Sequence, residues 1–176
     1  MKFVSGLITG VAVVPIAFYL YMRSGRAPVA TSAPPMPMEK ILANSALHAK
    51  LREEAPKTAP IRADETALLA GVRVYRDDCA VCHGVPHQPA TAVSKGMYPR
   101  PPQLFQPDET VTDDPAGVTF WKAKYGIRMS GMPGFQASLS DEQLWQVSLL
   151  LARADKLPTS VQQALTAPPS APDSSK

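Results

Sequence analysis

The sequence predicts an all-α fold preceded by an N-terminal membrane helix, and three observations carry that prediction. Residues Phe3 to Met22 run without a single charge. Between Arg62 and Pro158, three segments place their apolar residues at helical spacing, each marked by a capping or stop signal. No alternating strand and no Asn-Gly hairpin turn interrupts them.

The anchor comes first. A run of about 20 apolar residues is long enough to cross the hydrocarbon core at about 1.5 Å per residue. A cleaved secretory signal is the alternative, but its apolar run is usually shorter, and the only small-residue candidates for a cleavage site lie in Ala27 to Ala33. Residues 1–22 are therefore assigned to a retained anchor. Tyr19 and Tyr21 suit a membrane interface. Residues 23–60 form a tether: Ser24 to Pro37 is small, polar and proline-rich, which favours an extended spacer. Within it, Met38, Ile41, Leu42, Ser45 and Ala49 predict one apolar face of a short helix over Met38 to Glu54, read as a strut packed on the domain.

Residues 61–158 are the folded domain. Its first helix is expected from about Asp64 to Arg76, with Asp64 as cap and Leu68, Leu69, Val72 and Tyr75 as the buried stripe. A weaker one covers Pro115 to Tyr125, with Asp114 as cap, Pro115 at the first helical position and Gly126 as the stop. The clearest spans Ser140 to about Ala154. Ser140 and Gln143 make a capping box there, and Leu144, Val147, Leu150 and Leu151 line one face, widened by Trp145 and Leu149. Residues 159–176 hold few large apolar side chains and are expected to be a flexible tail.

Charge excludes one class of partner. The chain of 176 residues carries +3 overall, yet Arg62 to Pro158 holds ten basic against eleven acidic residues. A folded part without basic excess does not suit nucleic acid. Two cysteines exclude a disulfide scaffold.

Both cysteines fall in Cys79-Ala80-Val81-Cys82-His83, the C-x-x-C-H pattern of c-type haem attachment. Two thiols three residues apart on a helical turn can reach two porphyrin vinyl groups, and the adjacent imidazole then lies under the iron. Three other chemistries use similar residues. A redox dithiol wants a βαβ context absent here. A zinc site drawing on His87 would normally separate its cysteines from its histidines by a dozen residues. A copper-handling thiol site would draw on nearby methionines. For a sixth iron ligand, Gly126 to Phe135 stands out, because its glycines and proline let backbone approach a flat cofactor. Met132, between Gly131 and Pro133, is the chosen thioether and Met129 its rival; Met97, His87 and His48 are set aside.

From about Asp64 to Lys156 the sequence resembles a class I monohaem c-type cytochrome. The resemblance rests on Gly71 and Tyr75 ahead of the attachment motif, on Leu144 to Leu150, on Pro102-Gln103-Leu104, and on Gly131-Met132-Pro133 followed by Phe135. Leu149 or Leu150 stands where the family often has an aromatic. The resemblance implies a cytochrome c fold of three to four helices around one covalently bound haem c. It implies that Cys79, Cys82, His83, Met132 and Pro102 bind the cofactor, that His83 and Met132 hold the iron, and that the Pro102 carbonyl accepts the other ring N–H of His83. Trp121, Tyr125 and Arg128 are candidates to hold the propionates.

With both axial positions filled, the resemblance implies an electron carrier rather than an enzyme, alone or as the cytochrome subunit of an oxidoreductase complex. The alternative is a haem enzyme or gas sensor with an open sixth position. Expected partners are the membrane, through the anchor, and redox proteins such as a dehydrogenase or a terminal oxidase or reductase; no nucleic acid and no small-molecule substrate are expected. Haem attachment of this type occurs outside the bacterial cytoplasm, so the expected location is the cytoplasmic membrane, single pass, with the domain on the periplasmic side.

Overall fold

In the computed structural model, which describes residues 2–106 and 111–168 and only the backbone of residues 2–9, the chain divides into two compact units, Met1–Leu42 and Ala43–Lys176. All regular structure among the described residues is helical.

The first unit holds helix α1 (Lys2–Arg23), which brackets the expected span and carries Pro15 inside it. Among the described residues no helix is long and apolar enough to cross a membrane. Helix α2 (Glu39–Glu54) follows the tether. Its expected apolar face is not what it buries. Met38, Ile41 and Leu42 are all exposed, while Leu51 is buried. The spacing from Met38 to Ala49 is helical, but burial of this helix falls at its C-terminal end. There Glu54 accepts the indole N–H of Trp121 at 3.0 Å.

In the second unit, α3 (Glu65–Val74) begins on Asp64, whose carboxylate accepts from the Ala67 N–H at 2.9 Å. The helix then widens into a π-helical turn over Tyr75–Cys79, closed by the Ala80 N–H on the Tyr75 carbonyl, and continues as the short α4 (Ala80–His83). The regular helix therefore stops at Val74, ahead of the expected Arg76, and α5 (Ala92–Gly96) lies in the following loop. Helix α6 covers Ala116–Tyr125. The expected Asp114 cap is absent: Pro115 occupies the cap position without a side-chain bond, and Asp114 instead accepts from the Lys122 ammonium at 2.6 Å. A basic partner one face of α6 away competes better for that carboxylate than the backbone amides do.

Helix α7 (Asp141–Leu151) carries both bonds of the predicted capping box, and all six predicted apolar positions are buried. It packs across α3 and against α6. The crossing with α3 depends on Gly71. A Cβ there would stand 2.8 Å from the carbonyl carbon of Gln146, nearer still to its oxygen, and 3.2 Å from Leu150 Cβ. Leu68 and Val72 from α3 and Tyr75 from the π-helical turn meet Val147, Leu150 and Leu151 from α7 in the main core. A second cluster stacks Phe120 of α6 on Trp145 of α7, with ring centroids 4.2 Å apart.

The sequence assigns residues after Pro158 to a flexible tail, and the structure corrects this. Thr159–Thr166 form α8, which packs on α3 and buries Val161 and Leu165 completely or nearly so. Two apolar residues at i and i+4 are too weak a periodic signal in eight residues, and only packing against α3 makes them core. The rest of the expected tail, residues 169–176, lies outside the described residues.

Candidate functional site

The site is built on the end of α3. Tyr75 is fully buried, packs edge-on against Phe105 at 5.0 Å, and donates its hydroxyl to the Gly84 carbonyl at 2.6 Å. That bond ties the start of the π-helical turn to the residue after His83. Gly84 has a φ of 71°, a left-handed conformation that suits glycine and ends α4. Single π-turns inside helices are rare and often mark functional sites. Here the extra residue per turn resets the direction in which Cys79 and everything after it projects.

Cys79 and Cys82 are free thiols and both half-buried. Burial, with Asp78 and Cys82 adding to it, pushes the Cys79 thiol up to about 12. This is the reverse of the depressed value that makes a redox dithiol reactive. Beside them, His83 Nδ1 lies 2.8 Å from the Pro102 carbonyl oxygen. A carbonyl only accepts, so Nδ1 is the donor in this bond, and Nε2 is the ring nitrogen left to serve as a metal ligand.

Gln103 holds that arrangement in place. Its amide donates to the Cys82 carbonyl at 3.1 Å and the Pro101 carbonyl at 3.2 Å, the residues immediately before His83 and Pro102. The same amide reaches the buried Ser94 hydroxyl at 3.0 Å. The Gln103 Oε1 atom is buried and has no partner among the described residues. Nε2 has two N–H groups to share among these acceptors, and the two carbonyls, which only accept, fix the amide orientation and leave the buried oxygen unpaired.

Met132 stands on a separate loop returned tightly onto the end of α6. Its carbonyl accepts from Ile127 N–H at 3.1 Å, while Phe135 N–H and Gln136 N–H bond to the carbonyls of Ala123 and Lys124. Gly126 and Gly134 permit this approach: a Cβ on either would fall within 2.8 Å of the facing backbone. Ser130 adds a brace, its hydroxyl donating to Ile127 O at 2.7 Å and accepting from Met132 N–H at 3.2 Å. Met132 is half-buried, whereas Met129 is 79% exposed on a left-handed backbone with φ of 62°. Trp121 gives its only donor to Glu54. Tyr125 and Arg128 are exposed.

Residues 66–149 match the family described as cytochrome c oxidase, cbb3-type, subunit III. Those residues are a monohaem c-type cytochrome domain. Its cofactor is haem c, bound covalently through iron-porphyrin thioethers, and the chain's two cysteines are the thiols available for it. The cytochrome domain fits that group on its own geometry: two free thiols on one turn, an imidazole whose Nδ1 proton is already committed, and a thioether loop braced by its own hydrogen bonds. No curated protein matches the chain. Among solved structures it is similar to a chain of the reducing HAO-like protein complex of Kuenenia stuttgartiensis, at 20% identity and a TM-score of 0.47 over 56% of this chain. It spans about half, 48%, of that chain's length.

Sequence reasoning missed two residues of the cytochrome domain. Ser94 and Gln103 are ordinary polar residues in a loop, and no local pattern marks them. Met97, set aside as an iron ligand, packs its side chain on Gly131, a contact that no local pattern marks.

Proposed function

We propose that this chain is a membrane-tethered, extracytoplasmic carrier of single electrons, with His83 and Met132 as the axial ligands of its haem. The observation that carries the reading is the 2.8 Å bond from His83 Nδ1 to the Pro102 carbonyl. It assigns the tautomer, orients Nε2, and makes the imidazole more basic. Cys79 and Cys82 on the same turn would hold the cofactor through thioethers, and the half-buried Met132 would offer a soft donor from its own loop. When bound, haem c supplies a one-electron ferrous/ferric couple, which thioether ligation biases toward the ferrous state. The His83–Pro102 bond and the hydrogen bonds of the Met132 loop would hold the donors in place, so little would have to move when the charge changes.

The anchor reading rests on the uncharged run from Phe3 to Met22 and on helix α1 over the same residues. A tether of small residues and prolines would confine the domain near membrane complexes and raise its effective concentration there. Its partners would be a dehydrogenase and a terminal oxidase or reductase; the family description, an oxidase subunit, favours the second.

The test is the near-infrared spectrum of the ferric full-length protein. A sulfur-to-iron band present in the native protein and in Met129→Ala, and absent in Met132→Ala, is expected. A haem spectrum lacking the band in the native protein would sink the axial assignment and favour an open sixth position. For the tether, the intact chain should stay in the membrane fraction after a salt wash; recovery of a shortened soluble chain would overturn it.

A further inference from the structure

Between the attachment motif and the methionine loop lies a continuous line of contacts. Gln103 bonds the Cys82 carbonyl and the buried Ser94 hydroxyl. Thr91 caps α5 by accepting from Ser94 N–H at 3.0 Å, and its own hydroxyl donates to the Val81 carbonyl at 2.6 Å. At the other end of α5, Met97 N–H bonds the Ser94 carbonyl at 3.3 Å. Met97 then turns its half-buried side chain onto Gly131, the residue before Met132. Its methyl group occupies the place a Cβ on Gly131 would need, and its sulfur lies 3.6 Å from that place.

We propose that Met97 is a positioning residue for the Met132 thioether: packed on Gly131, it clamps the methionine loop to the loop that also carries Pro102. The inference rests on the reading of Met132 as the axial ligand. Two features make the clamp effective. Its base is rigid, because Ser94 is buried and bonded on both its backbone and its side chain. Its tip is unbranched and polarizable, so it fills an irregular gap over a residue with no side chain of its own. Both sides of the site are then set by one loop: Pro102 and Gln103 orient His83, and Met97 limits how far Met132 can swing away. Removing the clamp leaves the donors in place and makes Met132 easier to displace.

The experiment is titration of the haem-loaded ferric full-length protein with imidazole, which competes for the position Met132 holds. Met97→Ala should bind imidazole about tenfold more tightly than the native protein, equivalent to about 1.4 kcal/mol of lost restraint, with haem content and far-UV helicity unchanged. Met97→Leu, which refills most of the volume, should stay within about threefold of the native value. Met132→Ala is the control: unchanged imidazole affinity there overturns the axial assignment itself. If Met132→Ala binds imidazole much more tightly while Met97→Ala does not, the clamp alone is overturned. Met97→Leu behaving like Met97→Ala would refute the packing basis. Should Met97→Ala lose helicity, Gly131→Ala applies the same test from the facing side, since its methyl displaces that of Met97; native imidazole affinity in that protein rejects the proposal.

Discussion

Gly71→Ala probes the crossing on which the whole cytochrome domain is hung. The added methyl would stand 2.8 Å from the carbonyl carbon of Gln146 and 3.2 Å from Leu150 Cβ. Ordinary carbon contacts begin near 3.5 Å, so α3 and α7 must separate by roughly 0.7 Å over a face that buries Leu68, Val72, Tyr75, Val147 and Leu150. Overpacking of this kind costs about 1–3 kcal/mol, and a clash with backbone rather than a flexible side-chain end puts it at the upper limit. Alanine returns about 1 kcal/mol through its helix propensity. The net expectation is a loss of about 2 kcal/mol, or about 8–16 °C in Tm for a domain of this size. Thermal unfolding of the haem-loaded protein by far-UV circular dichroism measures it. A Gly71→Ala protein as stable as the native one, or more so, would refute the close crossing, because propensity alone would then have decided the sign.

Two further expectations follow from the packing and the charges. Leu165→Ala, at 2% exposure in α8, should cost about 2–4 kcal/mol in urea unfolding, whereas a flexible tail would give no change. Lys124 donates to both Asp141 oxygens at 2.7 and 2.9 Å, and this bond lifts its ammonium above the usual lysine value of 10.5. A raised value means the pair stabilises the fold below the ordinary lysine range and loses that contribution as pH rises through the raised value. Asp141 is largely exposed, so the effect should be under about 1 kcal/mol. Asp141→Asn should accordingly flatten the stability decline above pH 10.5, and an unchanged slope in a pH series of urea midpoints would reject the pairing.

Much of the site could be read from residue order because its chemistry is local. Cys79, Cys82 and His83 lie within one helical turn, and that spacing points to c-type haem before the helical context sets the other thiol chemistries aside. The helices were legible for a similar reason: the capping box at Ser140 and the stripe from Leu144 to Leu151 are periodic signals contained in a dozen residues. Asp114 was misread where a cap preference met a lysine one helix face away, and α8 where eight residues carried too little periodicity. The π-helical turn at Tyr75–Cys79 has no sequence signature of its own and comes from tertiary bonds such as Tyr75 to Gly84.

What the residue order determined by itself was therefore composition and spacing: an all-helical domain, one attachment motif, and a methionine loop permissive enough to approach a flat ring. The tertiary structure alone decided which contacts act over distance. It set Gln103 between Cys82 and Ser94, placed Met97 on Gly131, and left Met129 in solvent while half-burying Met132. The physical reason is that hydrogen bonds and packing between loops depend on where the helices bring those loops. That placement is fixed by core burial, and by the close approach permitted at Gly71, rather than by any pattern within the loops themselves.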